Sequence, residues 1–183
     1  INNVTITYYD STGSALLPGQ QVNSTNIADN QRYSFTCPAS GAITGKQMSA
    51  RLSAPGNVVV VVETTNDQGL VAASTLSAST GSNNIVLPYV EWSSSQWDFQ
   101  TTLYIMNTNS SLRSVDATFY RRDGSSVTEN YSIPGYAMVE ISPNTIPGLM
   151  SMENRDFKGA VMVSSSQPVA VMALVTKRFQ NAS

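Results

Sequence analysis

A chain of 183 residues with 41% hydrophobic and 12% charged side chains has room for one large all-β domain or two small modules. The charged fraction is about half of the roughly 25% usual for soluble domains, so the polar surface must come mainly from uncharged Ser, Thr, Asn and Gln. A net charge of −2 without a basic stripe excludes the electrostatic footprint of a nucleic-acid-binding protein.

The sequence contains no histidine, which excludes Ser-His-Asp and Cys-His nucleophile systems, His-ligated zinc and imidazole acid-base chemistry. The single cysteine, Cys37, can form no intramolecular disulfide, and we interpret it as a small buried residue. No Gly-rich phosphate loop is present. We therefore predict a protein that is not an enzyme and uses no cofactor or metal. A glycosidase-like pair among the 12 carboxylates is the least favoured alternative.

Strand patterns begin with the first residues of the chain. Residues 4–10 alternate apolar and polar positions and lead into turn residues that end at Gly13, which predicts a hairpin. The run of valines at 58–62 predicts a central strand covered on both faces. No long segment has helical periodicity, and 147–153 is the one candidate helical turn.

A region rich in Ser, Thr, Asn and Gly follows, from 64 to 95, and contains one apolar island. Pro88 within this island restricts it to an edge or connecting strand. The apolar positions of the island are Ile85, Val86, Leu87, Tyr89 and Val90.

The second half of the chain repeats the strand patterns of the first. Residues 101–107 predict an opening strand, and 115–121 followed by Asp123 and Gly124 predict a second hairpin. The apolar run 169–175 predicts a second central strand covered on both faces.

Three blocks of the first half align with three blocks of the second, in the same order. Residues 4–10 align with 115–121 at an offset of 111, and two further blocks align at offsets of 106 and 110. Such a period indicates a duplicated structural unit. We predict a first β-sandwich module over residues 1–80, a linker with a short edge strand over 81–97, and a second module over 98–183.

The first module has no counterpart of the opening strand 101–107. An antiparallel sandwich that lacks a strand leaves unpaired backbone groups, so we expect the strand to come from elsewhere. A neighbouring chain could donate it, the linker strand could fold back, or it could precede Ile1 in a longer protein. We name residues 85–90 and the C-terminal tail 176–183 as candidate inter-subunit strands.

The elements of the second half resemble repeated Ig-like surface modules of secreted proteins from filamentous and thermophilic bacteria, Chloroflexota in particular. The likeness covers almost all of the second repeat, whereas the first departs from it, with Ser49 where the second has Gly159. The resemblance implies an extracellular, non-catalytic β-sandwich used in arrays, without active-site residues. The segments that carry the resemblance are 87–88, 97–107, 115–124, 133–135 and 159–170.

Two further sets of residues are candidate contact or modification sites. Trp92, Trp97 and Phe99, together with Tyr89, form an aromatic cluster that predicts either a subunit contact or a sugar-stacking surface. Asn-x-Ser/Thr patterns predict N-glycosylation of an exported chain. These patterns begin at Asn3, Asn23, Asn109, Asn130 and Asn181.

Taken together, these patterns predict an all-β protein of two tandem Ig-like antiparallel sandwiches, the first without its opening strand. We predict a structural subunit of an extracellular filament, sheath or surface layer, whose partners are copies of itself, with glycans as a second candidate class. An adhesin or carbohydrate-binding module of a larger secreted protein is the alternative. No apolar stretch approaches the roughly 20 residues that span a bilayer, so no membrane span is predicted.

Overall fold

The computed structural model describes residues 4–16, 22–24, 48–56, 61–65, 71–76, 81–93, 99–149 and 156–177. These residues form an all-β structure with antiparallel sheets and contain no α-helix. A 3₁₀ turn spans Pro143–Thr145. The strands are β1 (Val4–Tyr9), β2 (Ala15–Leu16), β3 (Val22–Ser24), β4 (Ser49–Ser53), β5 (Val61–Thr65), β6 (Val71–Leu76), β7 (Ser82–Trp92), β8 (Phe99–Asn107), β9 (Arg113–Arg121), β10 (Ser126–Ile133), β11 (Met138–Ile141) and β12 (Phe157–Lys177).

The chain divides into two compact units. The first takes in Ile1–Ser77 and Tyr136–Met138, and the second takes in Ala78–Gly135 and Val139–Ser183. The sequence-based boundaries placed residues 81–97 in a linker, whereas this division assigns them to the second unit.

The first unit contains a four-stranded sheet built around β1. β1 pairs with β4 along one edge, and with β3 and β2 in succession along the other. Successive side chains of β1 point to opposite faces of the sheet. Val4 and Ile6 are therefore buried, at 1% and 9% exposed, whereas Thr5 between them is half-buried. The period-two pattern of the sequence thus directs this strand's apolar face inward.

β5 and β6 pair antiparallel as a separate two-stranded sheet of the described residues, with Val61 opposite Leu76. The sequence pattern predicted a central strand over 58–62, of which 58–60 lie outside the described residues. β6 lies in the Ser/Thr-rich region where no strand other than the 85–90 island was predicted, because its alternation of Val, Ala, Ser and Thr is only weakly apolar.

The turns that follow β1 and β9 share one geometry, 111 residues apart. In residues 10–14 the amide of Asp10 donates to the carbonyl four residues on at 3.0 Å, and Gly13 donates back to Asp10 at 3.0 Å. In residues 121–125 the corresponding bonds measure 2.8 and 3.1 Å. Gly13 and Gly124 have φ of +80° and +86°, which glycine adopts without steric cost. Both predicted hairpins are therefore confirmed.

The second unit contains a six-stranded sheet in the order β10-β9-β12-β7-β8-β11. β12 has 21 residues and changes partners along its length. Its first part lies between β9 and β7, and from Val169 onward it pairs with β8. This change of partner strand follows Pro168. Proline has no amide hydrogen to donate, so it fits a position where the ladder of backbone hydrogen bonds is interrupted. β7 also pairs with β8, at Trp92 and Gln100, so each of the strands β7, β8 and β12 pairs with the other two.

The core of the second unit comes from the inward rows of β8, β9 and β12. Leu103 and Ile105 are fully buried, and the rings of Phe119 and Phe157 meet edge to face with centroids 5.9 Å apart. Alternation of apolar and polar residues in β8 and β9 is the sequence feature that directs these side chains inward. Other buried apolar residues of this unit are Val90, Val115, Ala117, Ile133, Ile141, Ile146, Leu149, Val161, Val163 and Val169.

Asn107 is one of the buried polar residues of this unit and has no exposed surface. Its side-chain amide nitrogen donates to the carbonyls of Ser111, Ile133 and Pro134 at 2.8 to 3.1 Å, and its Oδ1 accepts from the Asn109 amide at 2.9 Å. The end of β8, the following loop and the end of β10 are therefore held by one side chain.

The prediction that residues 169–175 form a strand covered on both faces is wrong. Val169 is fully buried, but Ala173 is exposed and Val175 is 51% exposed. This part of β12 pairs with β8, and among the described strands β7 also pairs with it at Val169. Val169, Ala173 and Val175 lie on the same face of the strand, so burial of that face ends partway along β12. An unbroken apolar run does not by itself distinguish a fully covered strand from a partly exposed one.

Candidate functional site

β10 lies at one end of the six-stranded sheet. It pairs with β9 from Ser126 opposite Tyr120 to Ile133 opposite Arg113, and no other described strand pairs with it. Exposed and half-buried side chains alternate along β10, and the strand ends at the buried Ile133. One long row of backbone groups on β10 is therefore without a strand partner among the described residues.

The hairpin geometry decides which amides of β10 face this free edge. The bond from the Arg121 amide to the Ser125 carbonyl closes the turn, so every second pair beyond it exchanges hydrogen bonds. Thr118 and Thr128 are opposite each other in a pair that exchanges no backbone hydrogen bonds. Their hydroxyl oxygens lie 2.9 Å apart. The amide and carbonyl of Thr128 therefore point away from β9.

The residues of β10 with outward amides carry no charge. They are Ser126, Thr128, Asn130 and Ser132, by the same alternation. Glu129 is the one charged residue of the strand, and its amide faces β9. On the outward face of this hairpin, Asn130 Nδ2 donates at 2.7 Å to Ser114 Oγ and to the Asp116 carboxylate, which is the charged group of this cluster.

A bulge in β7 shapes a second candidate site. The register between β7 and β12 slips between Gly159 and Val161, so that Pro88 and Tyr89 together lie opposite Ala160. Such a bulge turns two successive residues out of the normal alternation, and Pro88 and Tyr89 are both exposed. The bulge also accommodates the proline, which has no amide for the ladder.

Tyr89 and Tyr120 flank a shallow groove of about 270 Å³ on the outward face of the sheet. Gly159 and Ala160 form its floor, and Arg122 lies at one end. The two tyrosines are 56% and 38% exposed, a large aromatic surface for a sheet face. All residues of this groove belong to the second unit.

A buried carboxylate stands next to the groove. The Glu91 side chain is 6% exposed, accepts the hydroxyl of Tyr89, and lies 2.7 Å from the Lys158 ammonium. Burial raises the pKa of Glu91, but the hydrogen bonds from Lys158 and Tyr89 outweigh it and hold the pKa below its ordinary value. The bond to Glu91 and burial raise the pKa of Tyr89, so its hydroxyl stays protonated.

The predicted inter-subunit strand 85–90 lies inside β7. β7 pairs with β12 over its whole length, and Val90 is fully buried. Ile85 and Leu87 are half-buried, whereas Val86 is 63% exposed and Tyr89 faces the groove. Residues 85–90 therefore belong to the six-stranded sheet of the second unit, through their pairing with β12. Of the tail 176–183, residues 178–183 lie outside the described residues.

The predicted aromatic cluster is described only in part. Trp92 is half-buried at the end of β7, opposite Gln100, and the neighbouring Phe99 is 45% exposed at the start of β8. Trp97 lies outside the described residues.

Two of the five candidate glycosylation asparagines have described side chains. Asn130 is exposed on β10, and Asn109 is half-buried, with its side-chain nitrogen 3.2 Å from the Pro168 carbonyl. Asn23 lies in β3, where its side chain is not described, and Asn3 and Asn181 fall outside the described residues. Asn130 therefore has the more accessible side chain of the two.

Within the described ranges, no three Asp, Glu, Cys or His side chains come together as a metal site requires. None of the helical segments in these ranges is long and apolar enough to cross a membrane.

Sequence reasoning did not assemble the tyrosine groove. Tyr89 was assigned to a candidate inter-subunit strand and to the aromatic cluster of Trp92 and Trp97. Tyr120 and Ala160 were seen only as strand residues of the second repeat. The signal that could have pointed to the groove is Pro88 inside an apolar strand, because a proline there indicates a bulge. Which residues the bulge turns toward depends on strand pairs far apart in the chain.

Comparison of this chain with protein-family models, with characterised proteins and with solved structures gives no match.

Proposed function

We propose that this chain is a non-catalytic structural subunit of an extracellular filament, sheath or surface layer, assembled by strand pairing and module packing between copies. The free edge of β10 is the observation that carries the proposal. It has eight residues and pairs on one side only among the described strands. An edge of this kind is a template for a strand of another chain.

The chemistry of the edge favours a specific partner strand. Seven of the eight residues of β10 are uncharged, so an incoming strand meets a single charge, that of Glu129. Glu129 alone interrupts the strand, and a charge on an edge is a usual protection against unselective pairing. Each backbone hydrogen bond contributes roughly 0.5–1.5 kcal/mol, so a full strand contributes a few kcal/mol and packing must add the rest.

The topology distinguishes an open polymer from a closed dimer. β10 and β11 are the two ends of the six-stranded sheet. Pairing of β10 with β11 of the next copy would continue the sheet from one subunit to another and generate an open filament. Pairing of β10 with β10 would form a two-fold dimer that stops growing. We propose the first arrangement.

Surface composition and the internal repeat support the remainder of the proposal. A charged fraction of 12% and a hairpin face of Ser, Thr and Asn are typical of exported proteins that pack against neighbours. The matching turns at 10–14 and 121–125 support two related modules of Ig-like type. The resemblance to bacterial surface modules points in the same direction.

The proposal is tested by blocking the edge of β10 without disturbing its pairing to β9. Proline at position 128 removes one outward amide and keeps every backbone hydrogen bond to β9, because the Thr128 amide points away from that strand. It also removes the hydroxyl contact with Thr118, which the valine control removes as well. We expect T128P to abolish the large assemblies that the unaltered protein forms at high concentration. Light scattering and negative-stain electron microscopy measure the outcome.

The matched control is T128V, which keeps the amide and strand propensity and should assemble as the unaltered chain does. Circular dichroism would verify that T128P keeps its β content. A chain that stays monomeric at millimolar concentration, or a folded T128P protein that assembles normally, would contradict the proposal.

A further inference from the structure

We propose that the groove between Tyr89 and Tyr120 is a binding site for an acidic sugar, a uronic acid residue of a polysaccharide. This site is separate from the β10 edge and does not depend on assembly through it. The inference rests on three properties of the groove: its two exposed tyrosine rings, its small-residue floor and its positive charge.

The shape of the groove suits sugar rings. Tyr89 is on β7 and Tyr120 on β9, with β12 between them, so the two strands are about 10 Å apart. Ala160, between them on β12, leaves the floor low. Two exposed aromatic faces across a low floor provide separate stacking surfaces for neighbouring rings of an oligosaccharide.

Tyr89 is held in place before any ligand arrives. The bulge directs its side chain to the outward face, and its hydroxyl donates to the buried Glu91 carboxylate. The ion pair with Lys158 fixes that carboxylate in turn. A ring that is already ordered loses less conformational entropy on binding, which favours affinity.

The charge of the groove selects an anionic ligand. Arg121 and Arg122 line the groove, and Lys158 lies beside it. Glu91, the partner of Lys158, is the one carboxylate among these four residues. Three positive charges less one negative charge give a local net charge of +2. The whole chain has a net charge of −2, so the groove has the opposite sign to the protein.

Within this groove, Arg122 is the cation available to a ligand. Lys158 is paired with Glu91, and the Arg121 guanidinium donates to the carbonyls of Leu149 and Gly148 and to the Ser125 hydroxyl. Arg122 is exposed and has no ion pair among the described residues. A planar guanidinium binds a carboxylate with two parallel hydrogen bonds, which matches a uronate.

A sugar fits these features better than an acidic peptide. Recognition of acidic peptides uses clusters of Arg side chains, whereas in this groove Arg121 is already bonded within the chain and Arg122 is the one available guanidinium. Tyrosine rings and a guanidinium close to each other match the apolar face and the carboxylate of one uronic acid ring.

The direct test uses calorimetry or protein NMR with an oligomer of galacturonic acid. Its methyl-esterified form is the matched probe, because the ester removes the charge and keeps the rings. We expect the acid to bind at least fivefold more tightly than the ester, with NMR shifts centred on Tyr89, Tyr120 and Ala160. Polyglutamate of similar length tests the peptide alternative.

Three variants assign the contacts. Y120A should weaken binding of both the acid and the ester about fivefold or more, by removing a stacking surface. R122Q should weaken the acid and leave the ester unchanged. A160L should weaken both probes by filling the floor while it keeps both tyrosines. L112A changes a residue that is 61% exposed outside the groove and should have no effect.

Several results would overturn the inference: no binding of the galacturonate oligomer at millimolar concentration, equal affinity for acid and ester, or affinity unchanged in folded Y120A and R122Q. Polyglutamate binding as tight as the uronate would assign the groove to a peptide. Thermal melts of each variant show whether a loss of binding is a loss of folding.

Discussion

The ammonium group of Lys158 lies 2.7 Å from a carboxylate oxygen of Glu91, across the pair of strands β12 and β7. The lysine side chain is 39% exposed and the glutamate 6%. A cation at the surface thus compensates a carboxylate that has lost nearly all of its water. The pair links the tyrosine groove to the stability of the sheet, because Tyr89 bonds to the same carboxylate.

Replacing Lys158 with methionine should lower the free energy of unfolding by about 1–3 kcal/mol. The change leaves the Glu91 carboxylate buried with its hydrogen bond from Tyr89 but without a cation, and the partial exposure of the lysine limits the loss. Urea denaturation at pH 7 measures it. The double variant K158M/E91Q should recover part of the loss, and additive effects of the two changes would contradict coupling of the pair.

Glu91 should also make the stability depend on pH. Its pKa in the folded protein lies below its ordinary value of 4.5, so its contribution is complete above about pH 4.5 and is lost as the pH falls through the lower, folded-state pKa. Tyr89, Lys158 and Arg122 are the groups that set this pKa.

The measurement for this prediction is the free energy of unfolding between pH 3 and pH 6. The E91Q variant cannot titrate at this position, so its stability should fall less steeply below pH 4.5 than that of the unaltered protein. Identical pH profiles for the two proteins would contradict the prediction.

Replacing Asn107 with alanine should destabilise the second unit by about 2–4 kcal/mol. Its amide nitrogen serves three carbonyls, and the Ile133 carbonyl lies in the buried end of β10, where a lost partner is not replaced by water. Chemical denaturation measures the effect. The control N83A removes an exposed side chain whose bond to the Ser166 carbonyl is 3.5 Å long, and it should change stability by less than about 0.5 kcal/mol.

Replacing Gly159 with alanine should cost about 1–3 kcal/mol by overpacking. A Cβ at this position would lie 2.0 Å from the Tyr120 carbonyl oxygen and 2.9 Å from the Phe157 ring, so a strand must shift. At Gly148 a Cβ meets nothing within 4 Å, and G148A should cost about 1 kcal/mol through its φ of +71° alone. A thermal melt of G159A equal to that of the unaltered protein would refute the packing argument.

The free edge of β10 could be anticipated only in part from the sequence. Alternation and the turn at Asp123 and Gly124 predict the hairpin, and the structure confirms it. That β9 rather than β10 pairs with β12 depends on a contact between residues some 40 positions apart, which no local pattern encodes.

The tyrosine groove illustrates the same limit. Tyr89, Tyr120 and Ala160 are each ordinary strand residues in the sequence, and Lys158 is one of three scattered lysines. They meet because β12 lies between β7 and β9 and because a one-residue slip beside Pro88 turns Tyr89 outward. A slip of one position reverses which face a side chain occupies.

The sequence by itself determined the class of structure, the two hairpins and their turns, because the period of two and the preference of glycine for positive φ are properties of short segments. Tertiary structure alone decided that 82–92 pairs with β12 along its length, that Ala173 and Val175 are exposed, and that a buried Glu91 has a cation. Each depends on pairing between distant strands, whose register is set by the fit of all their side chains together.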